Sequence, residues 1–394
     1  MRTTRLTTDD TRPEVTKRLP ELDGIRGCAI LLVLVWHYVQ NQLHPEVGTL
    51  LAYFRQAIGF TWSGVDLFFV LSGFLIAGIL IDQRGSPHYF RAFYIRRVCR
   101  IFPLYYINLG IFLAFLAWQS DIDQVFAPLF GGSEVPLWSY FSFTQNIFMG
   151  ANNSAGAGWL AVTWSLAVEE QFYLLLPFIV WIVPRNRLPL VFLWVAGTAI
   201  FLRSSMPGLS AYINTPWRAD ALMSGALLAW LVRVPAFLPV ATRYRMPIAA
   251  VLLVAVAGLL VANYHGMLRL GGTFTHFSLA LVYSMLILSA LVNRGGLLSR
   301  LLCNRVLIWL GGISYGVYLI HTWVSRLVHG LVRDASPQMI SWQDAATTLL
   351  ALAVTLLVAH FSYRWMESRF IGLGHTARYR DVDTPVLTAR QSGL

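Results

Sequence analysis

The sequence contains little charge, few cysteines and almost no lysine. Charged side chains make up 12% of the 394 residues, whereas soluble globular proteins contain about 25%. The three cysteines, Cys28, Cys99 and Cys303, are too few for a disulfide framework, and no metal-ligand spacing accompanies them. A G-x-S-x-G nucleophile elbow is also absent from the sequence. These absences argue against a soluble protein, a disulfide-stabilised secreted domain, a bound metal and a serine hydrolase of that type.

Apolar stretches dominate what is present. The mean hydropathy is +0.58, and many stretches reach the roughly 17–25 residues needed to cross a bilayer. We therefore expect an all-α, polytopic integral membrane protein of the cell (plasma or inner) membrane with about ten transmembrane helices. The predicted spans are 28–43, 62–82, 101–118, 161–183, 188–206, 219–232, 246–264, 274–293, 306–330 and 343–363.

The positive charge follows the predicted topology. The formal net charge is +11, which by itself is compatible with a nucleic-acid partner. If both termini are cytoplasmic, however, 24 of the 30 basic residues fall in cytoplasmic segments, as expected when Lys and Arg set the orientation of a membrane protein. The sequence thus predicts cytoplasmic termini, contact with membrane lipids and no nucleic-acid partner.

Composition also suggests the domain boundaries. We predict a polar cytoplasmic tail at 1–19, a membrane domain at 20–370 and a second polar cytoplasmic tail at 371–394. The polar N-terminus is not a cleavable signal peptide, so the first span is expected to remain in the mature protein. Residues 119–160 form the longest predicted outer loop, whose glycines and aromatic residues suit either sugar stacking or an interfacial aromatic belt.

Arg26 and His37 are the most informative pair of residues. Eleven residues of α-helix return the second side chain to nearly the same face, roughly 16 Å along the axis from the first. A cation at the entrance of an apolar span and an imidazole deeper on that face suggest a site reached from one side of the membrane. The alternative makes Arg26 an interface anchor and His37 a helix-packing residue.

Other polar groups lie within or beside apolar spans. Asp66 is a functional candidate if it lies at membrane depth and unremarkable if it lies at the interface. Arg96, Arg97 and Arg100 precede the third span, where they either bind a phosphorylated donor or simply follow the positive-inside rule. Arg96 and Arg100, four residues apart on one helix face, favour the binding interpretation.

Carboxylates and hydroxyls provide the remaining candidates. Glu169 and the adjacent Glu170 point about 100° apart, so only one can face a given pocket, with His37, an arginine or a hydroxyl as its partner. A structural pair is the alternative. Trp164, Ser165 and Tyr315 are candidate donors to an oxyanion. Tyr315, Tyr318 and His321 follow one another at i, i+3 steps, so adjacent members can touch, and aromatic packing around a hydrogen-bonded histidine is the alternative to a supporting role in the site. Arg218 and Asp220 form a further predicted outer-face pair.

Five segments together resemble the integral-membrane acyltransferase-3 family: LDGIRGCAILLVLVWHY, GVDLFFVLSGFLI, YIRRVCRIFPLYY, WSLAVEEQFYLLLP and ISYGVYLIH. They occur in the family's order over residues 20–325. The resemblance implies a membrane O-acyltransferase that moves an acyl group, expected to be acetyl, from cytoplasmic acyl-CoA to a cell-envelope or exported glycan. It implies acyl-CoA as cosubstrate, with no bound cofactor and no metal.

The resemblance also implies residue roles. His37 and Glu169 match the family's catalytic histidine and glutamate, and Arg26, Arg96, Arg97 and Arg100 match its donor-binding arginines. Some relatives append a soluble hydrolase-like domain, and none is expected here. The alternatives are an acyltransferase for a small glycosylated metabolite or lipid, and, in a different class, a transporter or flippase; a structural subunit is a further rival.

Overall fold

The computed structural model describes residues 19–117, 126–131, 134–206, 208–268 and 272–379. Within these ranges the chain forms helices and no named β-strand; one isolated bridge joins Leu43 and Met339. The helices are α1 (Pro20–Val35), α2 (Leu50–Ala57), α3 (Gly64–Gln83), α4 (Tyr89–Ala117), α5 (Ala127–Phe130), α6 (Leu137–Phe141), α7 (Gln145–Ala151), α8 (Trp164–Ile182), α9 (Leu188–Ser205), α10 (Leu209–Ile213), α11 (Thr215–Leu231), α12 (Phe237–Arg243), α13 (Arg245–Tyr264), α14 (Thr273–Val292), α15 (Leu297–Leu302), α16 (Arg305–Arg333), α17 (Trp342–Ser362) and α18 (Ser368–Thr376).

The predicted all-α, multi-pass architecture is confirmed. Nine helical segments in the described part of the chain are long and apolar enough to cross a membrane. The segment predicted at 219–232 is not one of the nine, because α11 has only 17 residues and begins with polar and charged ones. It nevertheless lies within the bundle, packed against α3, α9 and α14.

The segments outside the predicted spans are partly helical. Residues 44–60 contain α2, which has no buried residue and therefore lies on the surface of the bundle. In the predicted loop 119–160, Trp159 is buried and its ring stacks on Trp323 at 4.3 Å, so this aromatic residue serves packing. The predicted C-terminal tail is helical as far as Thr376, and Gly374 of α18 lies against Cys99 of α4. The remainder of that tail from 380, residues 1–18 of the N-terminal tail and loop residues 118–125 lie outside the described residues.

Glycines allow neighbouring helices to approach closely. A Cβ at Gly24 of α1 would lie 1.9 Å from the carbonyl oxygen of Leu302 in α15, and a Cβ at Gly27 would lie 2.0 Å from that of Leu307 in α16. A Cβ at Gly73 of α3 would lie 1.9 Å from the carbonyl oxygen of Leu222 in α11. Small residues are what membrane helices use where their backbones touch. The contacts of Gly27 and Gly73 hold α1 against α16 and α3 against α11, and α1, α3 and α16 each contribute side chains to the candidate site.

The first span changes its winding where it carries His37. Helix α1 ends at Val35 and continues as a π-helical turn over Trp36–Gln40. Such turns are rare and occur often at functional sites because the extra residue per turn redirects side chains. Three residues of this turn, Trp36, His37 and Gln40, line cavities of the bundle.

Candidate functional site

A cavity of about 240 Å³ lies at the end of the bundle where α1 begins. Three arginines from two helices line it: Arg26 of α1 and Arg97 and Arg100 of α4. Arg26 also forms an ion pair of 3.2 Å with Asp23. The guanidinium group of arginine presents several N–H donors in one plane, so it can bind a phosphate through two parallel hydrogen bonds. We call this space the arginine cavity.

Arg96, which the sequence grouped with these residues, lies elsewhere. Its Nε donates to the carbonyl oxygen of Ala377 at 3.0 Å, and its guanidinium lies 4.8 Å from the ring centre of Tyr379. Burial raises the pKa of the Tyr379 hydroxyl, while Arg96 and Arg97 oppose that shift. Of the four arginines predicted to bind the donor, Arg26, Arg97 and Arg100 line the arginine cavity and Arg96 does not. Arg96 lies one helix turn before Arg100 on the same side of α4, but its side chain is held by Ala377 and Tyr379 instead.

Glu169 lines the arginine cavity beside Ser72 and Tyr173, whose hydroxyls are 2.6 Å apart. Glu170 does not line it, and its Oε1 is buried without a hydrogen-bond partner among the described residues. The prediction that only one of the adjacent carboxylates faces the pocket is consistent with this arrangement. Glu169 faces a cavity that contains three cations.

A second cavity of about 240 Å³ surrounds His37, and we call it the central cavity. Its walls are mostly apolar and aromatic, with contributions from Trp36, Trp62, Trp164 and Tyr212. His37 comes from the π-helical turn, and its main-chain carbonyl accepts a hydrogen bond from Gln42 at 3.1 Å. Among the described residues of this lining, His37 carries the one imidazole, a group that can accept a proton in a mostly apolar space.

His37 and Glu169 line different cavities, which contradicts their direct pairing. Two residues, Val65 and Tyr318, belong to the lining of both spaces. The Tyr318 hydroxyl lies 2.6 Å from the Ser165 hydroxyl and donates to the Val162 carbonyl at 3.1 Å. A direct contact between His37 and Glu169, one of the pairings predicted from the sequence, is therefore wrong, because the imidazole and the carboxylate line different cavities that share the Tyr318 side chain.

The partner of His37 in the structure is a second histidine. The rings of His37 and His321 lie edge to face with centres 4.7 Å apart. His321 is fully buried, and its Nδ1 is 2.7 Å from the Tyr318 carbonyl oxygen, so Nδ1 carries the proton and donates. Its Nε2 is left as a buried acceptor with no hydrogen-bond partner among the described residues. His321 can thus accept a proton or a hydrogen bond beside His37.

The remaining predicted supporting residues divide between the two cavities. Ser165 and Tyr315 line the arginine cavity, and Trp164 lines the central one. The Tyr315 hydroxyl donates to the Ile101 carbonyl at 2.7 Å. Ser165, through Tyr318, therefore lies closest to the boundary between the two spaces.

Asp66 is fully buried, as is the network in which it takes part. Its Oδ1 accepts a hydrogen bond from Arg218 at 2.7 Å and lies 2.8 Å from Nδ1 of His276. Arg218 also contacts His276 and lies 5.3 and 5.4 Å from the rings of Phe69 and Tyr212. Trp62 and Tyr212 separate this network from the central cavity, since each packs against His276 and lines that cavity.

The predicted pairing of Arg218 with Asp220 is wrong. Asp220 instead receives two hydrogen bonds from Arg203, of 2.9 and 2.6 Å. Residues two apart on a helix point to opposite sides, so Arg218 turns toward α3 and α14 while Asp220 turns toward α9. The sequence analysis also missed His276, although a histidine inside an apolar span is a signal that could have identified it.

Comparisons with known proteins agree with this architecture. The acyltransferase domain family matches residues 19–364. The peptidoglycan O-acetyltransferase OatA of Listeria monocytogenes is 26% identical over 381 residues, covering 89% of this chain and 56% of the relative. The putative peptidoglycan O-acetyltransferase YrhL of Bacillus subtilis is 27% identical over 377 residues, covering 89% of this chain and 54% of the relative.

A putative O-acetyltransferase of Staphylococcus aureus is 27% identical over 385 residues, covering 91% of this chain and 58% of the relative. The chain thus spans a little more than half the length of these curated relatives. No solved structure matches the chain. The family match covers residues 19–364, which include the helices that form both cavities, so this chain is a member of the membrane acyltransferase-3 family.

Proposed function

We propose that this protein is a membrane O-acyltransferase that moves an acetyl group from acetyl-CoA to a hydroxyl of an envelope glycan. The observation that carries the proposal is the order of the two cavities along the bundle. Three arginines line one space, the His37 imidazole lines the next, and Tyr318 belongs to both. An anionic donor and a hydroxyl acceptor need these two chemistries in adjacent spaces.

Arg26, Arg97 and Arg100 bind the phosphates of acetyl-CoA in this proposal. Charge-assisted hydrogen bonds from arginine forks are about twice as strong as neutral ones. The pantetheine arm then extends along the bundle toward Tyr318 and presents the thioester at the central cavity. Glu169, on the cavity wall, orients these arginines and keeps the cavity from accumulating an unbalanced positive charge.

His37 acts as the general base. It removes the proton from the acceptor hydroxyl, the hydroxyl oxygen attacks the thioester carbonyl, and the coenzyme A thiolate leaves and takes up the proton. General-base assistance of this kind contributes about 10²–10⁴-fold. His321 replaces Glu169 as the residue that positions His37, because its free Nε2 lies on the ring that packs against the His37 ring.

The acceptor class rests on the relatives. Two of them are named as peptidoglycan O-acetyltransferases, one of these as putative, and we extend the glycan acceptor to this chain. The rival interpretation as a flippase predicts transport without ester formation. Measurement of base-labile acetate on envelope glycans distinguishes the two.

The decisive experiment compares adjacent arginines. Membranes containing the full chain are supplied with labelled acetyl-CoA and an envelope glycan fraction, and glycan-bound, base-labile acetate is measured. We expect Arg97→Ala to raise the apparent KM for acetyl-CoA by about tenfold or more, as loss of a charge-assisted contact does. Arg96→Ala, the matched control, keeps the wild-type KM because Arg96 lies outside the cavity.

His37→Ala tests the chemical step in the same assay. Its expected effect is a fall in kcat of at least about 100-fold with unchanged membrane expression. A wild-type preparation that forms no ester with any glycan fraction contradicts the acyltransferase proposal. Equal activity of His37→Ala and wild type supports the acyltransferase proposal but excludes His37 as the general base.

A further inference from the structure

A third and larger cavity lies at the end of α1 opposite Arg26. It measures about 740 Å³, within the roughly 300–1,000 Å³ of small-molecule sites. The π-helical turn, α2 and the end of α13 with the residues that follow it form its walls. Trp36 and Trp62 line both this space and the central cavity around His37. We call it the outer cavity, because the charge distribution predicts that this end faces away from the cytoplasm.

The lining of the outer cavity combines aromatic faces with amide groups. Trp36, Tyr53 and Trp62 supply the rings, and Gln40, Gln56 and Asn263 supply amides. No acidic side chain lines it, and Arg55 is its one cationic residue among the described residues. Aromatic rings that stack on an apolar face, surrounded by amides that bind hydroxyls, are the combination that a pyranose ring requires.

Hydrogen bonds hold these walls in place before a ligand arrives. Asn263 Nδ2 donates to the Gln56 carbonyl at 2.6 Å, and Gln56 Nε2 donates to the Tyr264 carbonyl. Arg55 Nε donates to the Gln40 carbonyl at 3.2 Å, which joins α2 to the π-helical turn. The side-chain amides of Gln56 and Asn263 each also have an oxygen that can accept a hydrogen bond from a sugar hydroxyl. Such a preformed site loses less entropy when it binds.

We propose that the outer cavity binds the glycan acceptor as a pyranose oligosaccharide, with one hydroxyl entering between Trp36 and Trp62 toward His37. This inference rests on the proposed function and names its acceptor-binding residues. Tyr53 is half-exposed at the rim and stacks on a sugar ring, whereas Phe54, its neighbour on α2, is equally exposed but does not line the cavity. This difference provides a matched pair of variants.

The test measures binding of chitotetraose, a neutral pyranose tetramer, to the purified full chain in lipid nanodiscs by saturation-transfer NMR and calorimetry. We expect Tyr53→Ala and Trp36→Leu each to raise the Kd by about tenfold, as loss of an aromatic anchor does. Phe54→Ala keeps the wild-type Kd. Absence of chitotetraose binding to the wild type, or equal Kd values for Tyr53→Ala and Phe54→Ala, overturns the inference.

Coenzyme A binding, measured on the same preparations, separates this inference from the proposed function. Tyr53→Ala is expected to leave the Kd for coenzyme A unchanged, and Arg97→Ala is expected to raise it. If the wild type binds chitotetraose through Tyr53 but does not bind coenzyme A, the proposed donor is refuted and the saccharide site is still supported. The reverse result refutes the saccharide site alone.

Discussion

Replacing Gly311 by alanine is expected to push α16 away from α1. A Cβ at this position would lie 2.0 Å from the carbonyl oxygen of Asp23 and 3.2 Å from the amide nitrogen of Gly27. Both neighbours are backbone atoms and cannot rotate away. The next residue, Gly312, has no atom within 4 Å of the equivalent Cβ position. The two glycines share one helix, so alanine changes helix propensity by the same amount at either site.

The magnitude follows from two opposing effects. Alanine in a helix interior is favoured over glycine by about 0.5–1 kcal/mol. Overpacking costs about 1–3 kcal/mol, and occasionally more. We expect the upper part of that range at Gly311, because the helices must separate by about 1 Å to relieve a contact of 2.0 Å. Gly311→Ala should therefore destabilise the protein by about 1–2 kcal/mol, and Gly312→Ala should stabilise it by about 0.5–1 kcal/mol.

Unfolding of the purified full chain in mixed detergent, followed by circular dichroism, measures both variants against the wild type. Acetyl transfer should fall with Gly311→Ala as well, because the π-helical turn that continues α1 carries His37 and α16 carries His321. The reasoning is refuted if Gly311→Ala and Gly312→Ala are equally stable, whether or not both are destabilised, since any cost would then be unrelated to the contact with Asp23.

Two other perturbations test the buried polar groups. Arg218→Met leaves the Asp66 carboxylate buried without its cation and should lower the free energy of unfolding by about 3–5 kcal/mol. The double variant with Asp66→Leu should recover part of that loss in the same unfolding assay. No recovery would contradict the pairing of Arg218 with Asp66. His321→Leu should lower kcat for acetyl transfer while the apparent KM for acetyl-CoA stays at the wild-type value, because His321 contacts His37 and does not line the arginine cavity; a change confined to KM would contradict its positioning role.

The membrane helices could be predicted from the sequence because their signal is local. A long apolar run of about 20 residues predicts a spanning helix, because a helix satisfies every backbone hydrogen bond within the segment itself. The exception is instructive: α11 has 17 residues and carries Arg218 and Asp220 near its start. The charge of Arg218 is balanced by Asp66 on α3 and that of Asp220 by Arg203 on α9, and His276 on α14 also contacts Arg218. Hydropathy along one segment contains no information about such partners.

The candidate site could be predicted only in part, for the same reason. The sequence identified Arg26, Arg97, Arg100 and His37, since cations and an imidazole in apolar segments are unusual. Pairing His37 with Glu169 required knowledge of how α1 and α8 are placed relative to Tyr318, and that placement is a tertiary property. The glycine contacts that set it, such as Gly27 against the Leu307 carbonyl, join residues 280 positions apart.

The division of the site into three spaces is itself a requirement of the proposed reaction. A donor that stays on the arginine side and a glycan that stays on the other side must meet at one thioester, yet the protein must not conduct ions. A continuous aqueous channel through the bundle would breach the membrane. Here the boundaries are side chains: Tyr318 and Val65 between the first two cavities, and Trp36 and Trp62 between the second and third. Rotating a side chain costs less free energy than moving a helix. A bound substrate can therefore displace each of these side chains and occupy the space that they leave, so no open channel forms.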